Sequence, residues 1–99
     1  MNIQQAKHIQ QIVGLSHLRI AFKRHIKPFK YNEVECLGLC TTNEFGAVTI
    51  DFVDDSEAIH TVLHELSHAN GVRDCNECDR IADNLVEFVA EELTGKLAA

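Results

Sequence analysis

The chain has no tryptophan, one proline, one methionine and only five glycines. With 45% hydrophobic residues over 99 positions, this composition excludes collagen-like, low-complexity and disordered readings. No apolar run approaches the roughly 18 residues of a membrane span. The opening MNIQQAKHIQQ has neither a hydrophobic segment nor a cleavage site, so a cytoplasmic location is expected and a secreted one is not. Bases are scarce. Nine Lys and Arg stand against fifteen Asp and Glu, a net charge of −6, which argues against a general nucleic-acid binder. No glycine-rich phosphate loop is present. The length fits one domain over residues 1–99.

The charge is unevenly distributed. Residues 1–30 carry Lys7, Arg19, Lys23, Arg24, Lys27 and Lys30 and no acid, while all fifteen acids follow. The simple expectation is that the basic segment packs against the acidic remainder. The sharper alternative is a basic face for an acidic partner or nucleic acid. Cys36, Cys40, Cys75 and Cys78 are expected to be reduced thiols of the core. Their C-x3-C and C-x2-C spacing leaves a four-thiolate zinc site as the alternative.

Hydrophobic periodicity outlines the elements. Ile3, Ala6, Ile9, Ile12 and Val13 recur at helical spacing, which predicts an amphipathic helix over 2–13 ending near Gly14. Leu18, Ile20 and Phe22 alternate with Arg19, Ala21 and Lys23, the pattern of a strand. Pro28 breaks it, and His25 to Asn32 reads as loop. Val34 to Cys40 reads as a second strand, with Cys36 and Cys40 on one face, and Ala47 to Phe52 as a third. Thr41-Thr42-Asn43-Glu44-Phe45-Gly46 between them supplies turn chemistry and predicts a hairpin. Asp54, Asp55 or Ser56 is the expected cap of a helix reaching about Asn70, with Ile59, Val62, Leu63 and Leu66 as its buried stripe. Gly71 reads as a helix stop, and Asp74 with Glu77 as a capping box for a last helix over about 75–93. Cys78, Ile81, Ala82, Leu85, Phe88 and Val89 would face inward there. The order α-β-β-β-α-α defines an α+β fold, a small three-stranded sheet with a hairpin against helices.

The second helix carries His64-Glu65-Leu66-Ser67-His68, an H-E-x-x-H run. Residues four apart lie one turn apart on the same face, so two imidazoles there can grip one zinc ion at about 2.0–2.1 Å. Glu65 is rotated by about 100° from His64 and borders the metal without having to bind it. It can take a proton from a metal-bound water whose pKa falls to about 7. His64 and His68 also lie off the apolar stripe, unlike ordinary core histidines. His60, one turn earlier, reads as a surface neighbour.

Residues 47–83 resemble the zincin metallopeptidases: a strand (Val48-Thr49-Ile50-Asp51), a short loop, the His64-Glu65-x-x-His68 helix and a second helix. The whole order is similar to minimal zincins, such as minigluzincins or small phage and mobile-element peptidases. The resemblance implies a zinc-dependent endopeptidase with a peptide or protein substrate. His64 and His68 would be metal ligands and Glu65 the general base. By the same analogy Ala47 to Asp51 would form the rim that holds substrate by strand addition. The resemblance leaves the third ligand open. His64 to Asp74 is similar to the snapalysin-type H-E-x-x-H-x-x-G-x-x-D run, which nominates Asp74, with Gly71 turning the chain. The methionine turn of that group is missing, since Met1 is the one methionine. Asp79-Arg80-Ile81-Ala82-Asp83 is similar to the gluzincin E-x-x-A-D run, which nominates Asp79, with Asp83 orienting a histidine. Glu77 is a further carboxylate candidate. Cys75 becomes the ligand if Cys78-Asp79 is matched to A-D. The alternative in a different class is a zinc-stabilised interaction module whose metal is saturated, for example by His64, His68, Cys75 and Cys78.

Overall fold

A computed structural model describes residues 1–95. Three helices and five strands follow one another as α1 (Ile3–Ile12), β1 (Ile20–His25), β2 (Phe29–Tyr31), β3 (Val34–Cys36), β4 (Gly38–Thr42), β5 (Val48–Val53), α2 (Ala58–Ala69) and α3 (Cys75–Thr94). The class is α+β, as the periodicity implies. The three-stranded sheet has the order β1-β5-β4, and β2-β3 form a separate two-stranded hairpin.

The middle of the chain departs from the sequence expectation. The run Val34 to Cys40 is two strands broken at Leu37, and the expected loop 25–32 contains β2. Phe29 pairs with Cys36 and Tyr31 with Val34 across a turn at Asn32 and Glu33. Both turn residues have left-handed backbone, φ 51° and 67°. That conformation fits the right-handed twist of a hairpin and is usually marked by Asn-Gly. Here the second position is a glutamate, so the signal is hidden. Pro28 sits just before β2, where its missing N–H removes nothing from the ladder.

β5 is central. It runs parallel to β1, with Phe22 opposite Ile50, and antiparallel to β4, with Cys40 opposite Ile50. The expected hairpin of the second and third strands therefore forms as β4–β5. Ile50 and Phe52 are fully buried, and α2 lies across the sheet against β4 and β5. Ile9, Phe22, Ile50, Phe52, Val62, Leu63, Leu66 and Val89 share one hydrophobic cluster. α1 packs on β1 and on both other helices. Its start is a capping box the sequence reading overlooked: Asn2 and Gln5 exchange side-chain and backbone hydrogen bonds, each at 2.8 Å. Gln10, buried beside this cluster, donates to the carbonyls of Leu15 and Leu18 and fixes the exit toward β1.

The caps of the later helices differ in detail. None of Asp54, Asp55 or Ser56 caps α2, which begins after Glu57 with no side-chain cap. Asp55 instead accepts from the Glu57 N–H in a tight turn. Asp54 turns back to the N-terminal ammonium and to Arg24. Gly71 is left-handed, φ 99°, as expected of a helix stop. In α3, Cys78, Ala82 and Val89 are buried, whereas Phe88 is 48% exposed. Phe88 is offset by about 100° from Val89 and falls outside the stripe. The basic N-terminal segment packs on the acidic remainder as expected, β1 on β5 and α1 on α2 and α3, with little direct charge pairing. Among the described residues Arg24 is the one Lys or Arg of that segment in an ion pair. Among the described residues no helix is long and apolar enough to cross a membrane.

Candidate metal centre

His64 and His68 stand one turn apart on α2, with ring centroids 4.9 Å apart and nearly edge-on. Each ring is held through its Nδ1. His64 Nδ1 lies 2.6 Å from an Asp79 carboxylate oxygen, and His68 Nδ1 lies 2.8 Å from the Val72 carbonyl. A carbonyl oxygen only accepts, as does an ionised carboxylate, so both Nδ1 atoms carry the proton. In the neutral ring this tautomer leaves the Nε2 lone pair free, the form in which imidazole binds a metal.

The turn at Gly71 explains the second of these bonds. Gly71 and Val72 donate back to the carbonyls of His68 and Ser67, each at 3.0 Å, and this fold-back presents the Val72 carbonyl to His68. Gly71 therefore turns the chain as expected. What it delivers to His68 is a backbone carbonyl, while Asp74 caps α3 by accepting from the Asn76 N–H at 2.9 Å. Glu77 pairs with Arg80. Asp79 grips His64 from its outer nitrogen. Asp83, expected to orient a histidine of the motif, lies instead 2.7 Å from His60.

Two sulfurs stand where the expected carboxylates do not. Cys75 Sγ lies 3.5 Å from His68 Nε2, and Cys78 Sγ lies 3.5 Å from His68 Nδ1. His64, His68 and Cys78 each offer a ligand atom, all within 4.8 Å of one another, and this group can hold a metal ion. Cys78 is fully buried, but Cys75 is exposed and is not the core thiol expected from sequence. α2 and α3 thus meet in three rungs of constant register: His60 on Asp83, His64 on Asp79, His68 on Cys75.

Glu65 points to the other side of His64, under the sheet. It is only 8% exposed, with a carboxylate oxygen 4.0 Å from His64 Nε2. Burial raises its pKa, against the pull of His64 and His68 and with a further push from Asp79. Its roof is β4. A Cβ built on Gly38 would lie 2.5 Å from Thr61 Cγ2 and 3.0 Å from Glu65 Oε2. A glycine inside a strand marks such a close approach, and this one was available in the sequence. Beside it opens a cavity of about 420 Å³ bounded by Gly38, Cys40, His64, Glu65, His68 and Cys75. Burial pushes the Cys40 thiol up to about 11, with Glu65 and Cys78 adding to the effect. Cys36 is not part of this wall, because the break at Leu37 carries it into the β2–β3 hairpin.

The rim of this cavity is β4. Ala47 to Asp51, expected to form it, lie at or in β5, which is paired on both sides. β4 pairs with β5 along one edge, and its other edge meets no strand among the described residues. Compared with protein-family models, curated proteins and solved structures, the chain matches none of them.

Proposed function

We propose that the chain is a small zinc-dependent peptidase, with His64, His68 and a thiolate of α3 as metal ligands and Glu65 as the general base. The observation that carries this reading is the pair of Nδ1 hydrogen bonds, which leaves two adjacent Nε2 lone pairs beside a buried, otherwise unpaired carboxylate. Two imidazoles and a thiolate suit zinc, and three protein ligands leave a position open. The thiolate takes the place of Asp74, Asp79 or Glu77, whose carboxylates are engaged elsewhere. Zinc, when bound, supplies an acidified water and a Lewis acid for a carbonyl.

The chain's own groups divide the remaining work. Glu65 accepts and returns the proton, and its raised pKa brings it nearer the working range of a base at neutral pH. Asp79 and the Val72 carbonyl hold the imidazoles in one tautomer and orientation. The free edge of β4 offers backbone groups to an extended peptide across the cavity.

The approach of both Cys75 and Cys78 to His68 favours a second reading, a closed site of two imidazoles and two thiolates that stabilises an interaction module. Elemental analysis and Glu65→Gln separate the two. The peptidase reading expects about one zinc per chain, lost in His64→Ala, and hydrolysis that falls by about a hundredfold or more in Glu65→Gln with the zinc retained. A wild-type chain that hydrolyses no peptide and unfolds when chelated is the closed module. A folded chain that takes up no zinc ends both readings.

A further inference from the structure

The metal site proposed above needs one thiolate from α3, yet two cysteines converge there. Cys75 is the first residue of α3 and exposed, whereas Cys78 is one turn on and fully buried. Side chains three apart on a helix are neighbours, about 5–6 Å between Cβ atoms. A disulfide needs about 3.5–4.5 Å. The difference is small, and Cys75 stands at the very first position of the helix, ahead of the Asn76 and Cys78 N–H groups that Asp74 holds. One imidazole also reaches both sulfurs. His68 Nε2 faces Cys75 at 3.5 Å, and its lone pair is free because Nδ1 donates to Val72. Cys75 is thus an accessible thiol with a built-in proton acceptor, and Cys78 a sheltered thiol beside it.

We infer that Cys75 and Cys78 form a reversible thiol–disulfide pair, with Cys75 the attacking sulfur and Cys78 the resolving one, and a small-molecule disulfide as the oxidant. His68 Nε2 takes the Cys75 proton. The thiolate attacks one sulfur of the oxidant, whose S–S bond breaks as the mixed disulfide forms. The departing thiolate recovers the proton from His68. Cys78 then attacks the Cys75 sulfur, closes the intramolecular bond and releases the second thiol with its own proton. Two electrons pass from the protein to the oxidant, and two thiols leave. Since either sulfur is a candidate ligand, oxidation also withdraws the thiolate from the imidazole pair. That consequence rests on the proposed zinc site, whereas the disulfide itself does not.

The test compares metal-free and zinc-loaded full-length protein, each treated with glutathione disulfide, alkylated and mapped by mass spectrometry. The metal-free protein should lose two hydrogens, retain no glutathione and show a Cys75–Cys78 link. Zinc should protect it, and the oxidised form should take up no zinc until reduced. Cys78→Ser should stop with glutathione on Cys75. Cys75→Ser, at an exposed position, should take up none at Cys78, and this variant keeps the test open if the buried change prevents folding. A bridge between Cys36 and Cys40 instead, or a wild-type chain that stops as a glutathione adduct, overturns the pair. A Cys75–Cys78 bridge in a chain that never binds zinc sustains the pair and removes the metal reading, so the two failures are distinguishable.

Discussion

In the zinc site proposed above, Asp79→Ala should weaken metal binding about tenfold, because Asp79 orients His64. The carboxylate holds His64 Nδ1 at 2.6 Å, and a hydrogen bond to a charged group contributes about 1.5–3 kcal/mol in a protein. The His64 side chain is 16% exposed, but that of Asp79 is 55% exposed, so water replaces part of what the substitution removes. A value just below that range applies, about 1.4 kcal/mol, which is about tenfold in a dissociation constant. Loss of such an orienting partner typically lowers metal affinity by about 10–100-fold. The assay is competition with a chromophoric chelator at fixed pH and salt. The fold supplies its own control one turn away. Asp83 holds His60 at 2.7 Å in the same geometry, yet His60 is outside the cluster that can hold a metal. Asp83→Ala should leave affinity within about twofold. Unchanged affinity in Asp79→Ala would refute the orienting role. Equal weakening in both variants would show that helix pairing or net charge, and not the His64 tautomer, is what matters.

Gly38→Ala should destabilise the fold by about 1–3 kcal/mol, because β-branched Thr61 cannot swing out of the way of the new methyl. Urea melting measures this, and adding Thr61→Ser, which deletes the clashing Cγ2, should recover part of the loss. In the metal-free protein, iodoacetamide near pH 8 should label exposed Cys75 and spare Cys40. Only the thiolate reacts, and the Cys40 thiol is held up to about 11, so its labelling should rise only as pH approaches that value. Peptide mapping against pH checks this, and early labelling of Cys40 would refute its burial against Glu65. Glu33→Gly should stabilise the β2–β3 hairpin by up to about 1 kcal/mol, since Glu33 holds φ 67°. Slower amide exchange at Lys30 and Glu35 would register the gain.

The three helices were legible because each buries a stripe of period 3.6, and the Gly71 stop because its position after the stripe demands a left-handed residue. The β2–β3 hairpin was not, because its positive-φ turn is built from Asn32 and Glu33 and carries no glycine. Strand order was not legible either. Val48 to Val53 looks the same locally whether it is central or at an edge, so its place between β1 and β4 is set by packing that no short window contains. In the site, the i, i+4 geometry of His64 and His68 follows from helix periodicity alone. The candidate third ligands could not be ranked that way. Asp74 serves equally as a cap, and Glu77 finds a local partner in Arg80. The constant register of α2 on α3, which faces Asp79 to His64 and Cys75 to His68, is a tertiary fact. The Val72 carbonyl has no side-chain signature at all.

Every candidate ligand, and both groups that orient the imidazoles, lies within the helical hairpin of α2 and α3. The roof over Glu65 comes from β4, and β4 is held by β5, which must also find β1 far back in the chain, Ile20 against Val48. Helical hairpins assemble from near neighbours and form early, whereas pairing between distant strands is slow. The order of assembly therefore separates the two halves of the site: the residues that could hold a metal come together in the first stage, and the roof over Glu65 closes in the last. On the proposed reading as a peptidase, this order of assembly has a protective value. On that reading a half-folded copy, whose loose strands would themselves be good substrate, would hold the ion without a finished cleft, and cleavage of extended chain would wait until β4 has closed over Glu65.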